Sequence, residues 1–93
     1  MNGDSETIRW PTNLDRAAIE KRLGHVAAKA AELGLAEISQ RFAGVAAMSA
    51  AQIASSVVGT LTWLANEPAD AREKHSAITR DLEMVALNLK NLK

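Results

Sequence analysis

Cysteine is absent from the 93-residue chain, which excludes disulfide staples, thiolate metal sites and thiol catalysis. Aromatic side chains are scarce: Trp10, Phe42 and Trp63 are all there are. Prolines number two, and the five glycines stand isolated, so no glycine-rich phosphate loop is present. Net charge is missing as well. Eleven acids balance eleven bases, which argues against a nucleic-acid partner, since polyanion binding shows as a clustered basic excess. Neutrality also means that charge repulsion does not hold copies of the chain apart.

Eighteen residues are Ala and ten are Leu, the strongest helix formers, while strand-favouring residues are few. The fold class expected is all-α, a small four-helix bundle with helices at about 13–33, 35–45, 49–65 and 70–92. A chain of this size buries a modest core, which dimerisation would complete. Residues 1–12 read as a flexible N-terminal arm and 13–93 as one domain. The segment MNGDSETIRWPTN carries Asp4 and Glu6 and lacks the apolar centre of a signal peptide, so a cytoplasmic protein is expected.

The spacing of apolar residues sets each helix. Ile19, Leu23, Val26, Ala30 and Leu33 form one stripe, opened by a cap at Thr12 with Asp15 or at Asn13. Gly34 fits a left-handed stop. Leu35, Ile38, Phe42 and Val45 repeat the pattern. Ser49-Ala-Ala-Gln52 has capping-box form and starts the third helix. Ala71, His75, Ile78, Leu82, Val85, Leu89 and Leu92 make an unbroken stripe for a fourth.

Residues 42–66 contain no charged side chain. A membrane span needs roughly 20 predominantly apolar residues, and the length is present. The composition is not, because Gln52, Ser55, Ser56, Thr60, Thr62 and Asn66 gather on one arc with Gly59 and Trp63. Ile53, Leu64, Val57, Ala50, Leu61, Ala54, Ala65, Val58 and Ala51 fall on the other. Insertion of 42–66 in a membrane is therefore the weaker alternative. An amphipathic helix with a small, neutral polar face fits better, with helix three the most shielded of the four.

Solvated helix faces normally carry Lys and Glu. This one carries Ala51, Ser55 and Gly59 at every fourth position, a small-residue edge that permits close helix approach. Trp63 lies one turn beyond Gly59, and Trp is enriched at binding hot spots. The expectation is a non-enzymatic interaction or regulatory protein. It self-associates or docks on a protein partner through Trp63, Gly59, Ser56, Gln52, Ser55 and Ala51. Ala17, Gly24, Ala28 and Ala31 on helix one, with Ala77, Met84 and Leu87 on helix four, add apolar surface beyond one small core.

No catalytic residue, cofactor or metal site is expected. Histidines and serines lie on separate faces, and neither His25 nor His75 has a Glu three residues before it, as a diiron bundle would require. A second alternative is phosphotransfer at His25, expected at the surface. KRLGHVAAKAAELGL resembles the His-x-Leu-Lys-Gly helix of histidine phosphotransfer domains, which are four-helix bundles. It departs from them where Val26-Ala27-Ala28-Lys29 follow the His and Gly24 precedes it. A helix-turn-helix reading of residues 35–59 fails because the would-be recognition helix has no Arg or Lys.

Overall fold

A computed structural model describes residues 12–92. The N-terminal arm, including Trp10, lies outside the described residues up to residue 11. The described chain is all-α, a small bundle of five helices without strands. They are α1 (Arg16–Glu32), α2 (Ala36–Ala43), α3 (Ala50–Ala65), α4 (Ala69–Lys74) and α5 (Ser76–Ala86). Short 3-10 turns follow α2 at Val45–Ala47 and α5 at Leu89–Leu92.

Local chemistry accounts for most boundaries. Asp15 caps α1, its Oδ1 accepting from the Ala18 N–H at 2.9 Å, so the helix begins later than an Asn13 cap would give. At the other end Gly34 sits at φ +78°. The Leu35 N–H bonds the Ala30 carbonyl at 2.8 Å and the Gly34 N–H the Ala31 carbonyl at 3.2 Å, a complete Schellman stop. Gly34→Ala is expected to cost roughly 1–2 kcal/mol, because a side chain at positive φ crowds the following carbonyl. Urea unfolding measures this, and an unchanged midpoint would show that the turn relaxes.

Ser49 and Gln52 close both halves of the capping box at the start of α3, with bonds of 3.1 and 2.7 Å.

The core is the set of stripes read from the sequence. Ile19, Leu23, Val26 and Ala30 of α1 meet Ile38 and Phe42 of α2, Ile53, Val57 and Leu64 of α3, and Ile78, Leu82 and Val85 of α5. Leu33 departs from its stripe and is exposed. The central element is α1, which packs on both α2 and α5. Helix α3 packs on α5 and more lightly on α2. It is not the most shielded helix: along its length Ala51, Gln52, Ser55, Val58, Gly59, Thr62 and Trp63 are exposed.

The expected single helix over 70–92 is broken twice. The first break is at His75, where φ and ψ are −101° and 14° and Nδ1 lies 2.7 Å from Glu67 Oε1 in the turn after α3. The second follows Ala86. There the Asn88 side chain donates to the Met84 carbonyl at 2.8 Å, competing with the backbone for a helical acceptor. The apolar stripe survives both breaks, with Ile78, Leu82, Val85 and Leu92 buried.

The two ends of the described chain are tied together. Asn88 is fully buried, and its Oδ1 accepts from the Leu14 N–H at 3.0 Å. Asn91 donates to the carbonyls of Leu14 at 2.9 Å and Thr12 at 3.3 Å.

Candidate functional site

The exposed side of α3 has three physical properties together. It carries no charge, because no Asp, Glu, Lys or Arg occurs between Arg41 and Glu67. It exposes large apolar groups, Val58 at 54% and Trp63 at 47%. Three of its polar side chains already have local partners. Thr62 Oγ1 donates to the Val58 carbonyl at 3.0 Å, Asn66 Nδ2 to the Thr62 carbonyl at 2.9 Å, and Gln52 Oε1 accepts from the Ser49 N–H at 2.7 Å. Polar groups with internal partners lose little when water is removed, whereas an unpaired hydroxyl or amide costs about 1–3 kcal/mol.

Trp63, Gly59, Gln52, Ser55 and Ala51 are exposed, and Ser56 is half-buried beside them. They lie on one continuous surface, since spacings of three and four keep residues on one helix face. A Cβ built on Gly59 meets nothing within 4 Å, so this edge is open to solvent and not filled by the chain's own helices.

The wheel assignment needs correction at four positions. Ala51, Val58 and Ala65, assigned to the apolar arc, are exposed, because α3 touches its neighbours along a narrow seam through Ile53, Val57 and Leu64. Thr60, assigned to the polar arc, is fully buried and accepts from Arg41 Nη1 at 2.8 Å. That bond draws the Arg41 guanidinium across from α2 to the flank of α3. Beside it a cleft of about 550 Å³ opens between the α1–α2 turn and α3, walled by Leu35, Ile38, Gly59 and Trp63.

Arg41 and Val58 were not singled out in the sequence. Arg41's signal is its place immediately before the uncharged run.

The two histidines belong to different parts of the fold. His25 is exposed on α1, as expected. His75 is buried against Glu67, both side chains showing little more than a tenth of their surface, and the pair locks the junction of α3, α4 and α5. Among the described residues, Asp70 with Lys74 and Arg80 with Glu83 form no ion pair. The ion pairs found there are Arg16–Glu20 and Arg22–Asp81, and His75 shares a hydrogen bond with Glu67. No cluster of His and carboxylates able to hold a metal occurs among the described residues. No helix among them is long and apolar enough to cross a membrane.

No family model, curated protein or solved structure matches the chain.

Proposed function

We propose that the protein is a non-enzymatic cytoplasmic interaction module that forms a homodimer through the exposed face of α3. The observation carrying this reading is that face's low cost of dehydration. Helix α3 itself brings no charge, and the cation at its flank, Arg41, is already bonded to Thr60. The side chains of Gln52, Thr62 and Asn66 have internal partners, and Val58 and Trp63 gain by burial. The absence of cysteine agrees with an intracellular setting, since small secreted domains commonly rely on disulfides.

A second copy is the partner proposed for this face. A symmetric dimer is isologous: residue i meets residue j of the partner, and j meets i. Two antiparallel α3 helices crossing near Gly59 bring each Trp63 opposite the other copy's Ser55, since both lie four residues from the crossing. The large ring then packs over a small side chain, with Ala51 one turn further. Ser55 and Ser56 make no hydrogen bonds among the described residues, so their hydroxyls serve to pair across the interface.

Trp63→Ala tests the anchor. It is expected to weaken self-association by roughly 1–2 kcal/mol or more, a rise in Kd of about fivefold to thirtyfold. Sedimentation equilibrium of native and variant chains reads this. An unchanged Kd removes Trp63 from the interface.

A further inference from the structure

The described arginines divide into two groups. Arg16 holds Glu20 and the Met48 carbonyl, Arg22 holds Asp81, and Arg41 holds Thr60. Arg72 and Arg80 make no ion pair or side-chain hydrogen bond among the described residues. Both line one cleft of about 600 Å³ between α3 and the α4–α5 element. The cleft lies on a different flank of α3 from Gly59 and the Arg41 cleft.

Its lining sorts by hydrogen-bonding role. Arg72 from α4 and Ser76 and Arg80 from α5 line the same cleft, on either side of the break at His75. The Ser76 hydroxyl makes no hydrogen bond among the described residues, which leaves it free to donate. The other two hydroxyls have used their protons: Thr62 Oγ1 donates to the Val58 carbonyl and Thr79 Oγ1 to the His75 carbonyl at 3.3 Å. They therefore offer acceptors, as does Glu83 at the far end of the cleft. Leu61, Leu64 and Ala65 supply an apolar wall.

We propose that this cleft binds a phosphomonoester. Two guanidinium forks in one cleft suit an anion with several terminal oxygens and a charge of about −1.5 to −2, while Glu83 in the same lining suits a hydroxyl or amine at the other end of the ester. Ser76 donates a further hydrogen bond. Thr62, Thr79 and Glu83 accept from hydroxyl or amine groups on the alcohol portion of the ester. The site does not depend on dimerisation.

Calorimetric titration with glycerol phosphate, and flotation with phosphatidylcholine vesicles containing phosphatidic acid, present the same phosphomonoester in soluble and lipid form. Saturable binding in either arm is expected, and the arm that binds identifies the source. Arg72→Gln and Arg80→Gln are each expected to weaken binding about tenfold or more. Lys74→Gln removes a neighbouring exposed charge outside the cleft and is expected to leave binding unchanged. Circular dichroism confirms that the three variants fold. Absence of binding in both arms overturns the proposal. So does a loss with Lys74→Gln equal to that with the arginine variants, because binding would then be diffuse attraction to positive charge.

Discussion

Asn88→Ala is expected to lower the unfolding free energy by roughly 3 kcal/mol, far more than a typical surface Asn. The side chain is fully buried and works in both directions: it accepts from the Leu14 N–H and donates to the Met84 carbonyl. Asn91 Nδ2 also reaches its Oδ1 at 3.3 Å. Truncation leaves a part-buried donor and a part-buried acceptor without their partner, each costing about 1–3 kcal/mol. Asn91→Ala is expected to cost less, because that residue is only half-buried. Urea denaturation reads both, through a lower midpoint at unchanged slope. A loss below about 1 kcal/mol for Asn88→Ala would show that water replaces the bonds and that the ends are not clasped.

Gly59→Glu is expected to act with opposite sign on folding and on association. In the folded chain a side chain at this position meets nothing, and Glu is favoured over Gly in a helix interior by up to about 1 kcal/mol. Unfolding is therefore expected to become harder. In an antiparallel α3 dimer the same change sets two carboxylates close to the symmetry axis, with Arg41 at the flank as the nearby cation. Arg41 offsets part of the cost of burying two like charges, so Kd is expected to rise about tenfold, roughly 1.4 kcal/mol. Thermal unfolding and sedimentation of the same sample separate the two effects. A purely structural Gly59 would not give a tighter fold with weakened association, and a variant that associates as well as the native chain places the interface elsewhere.

Features held by neighbours in sequence were legible without a structure. The Ser49–Gln52 capping box, the Gly34 stop and the four-three stripes through Leu23, Phe42, Val57 and Leu82 all depend on contacts within a few residues or on helical periodicity. What escaped depends on partners distant in sequence. Nothing near His75 announces that Glu67 will hold it, so the break between α4 and α5 is hidden inside a continuous stripe. Asn88 and Asn91 look like polar residues at a helix end until the chain returns Thr12 and Leu14 to them.

Thr60 shows the same limit at the candidate surface. Its hydroxyl placed it on the polar side of the wheel, whereas Arg41 from α2 gives that hydroxyl a partner and allows it to be buried. The composition of α3 announced an unusual surface. Which of its residues face outward was settled by how narrow a seam its neighbours cover, and that width is not written in α3 itself.

The most direct measurement is molar mass by light scattering across a concentration series, with native chain and Gly59→Glu run side by side. A dimer through α3 gives a native mass rising to twice the 10.0 kDa chain, while the variant follows the same rise at about tenfold higher concentration. A native chain that remains monomeric at the highest concentration, or a variant whose mass rises at the same concentrations, contradicts that interface.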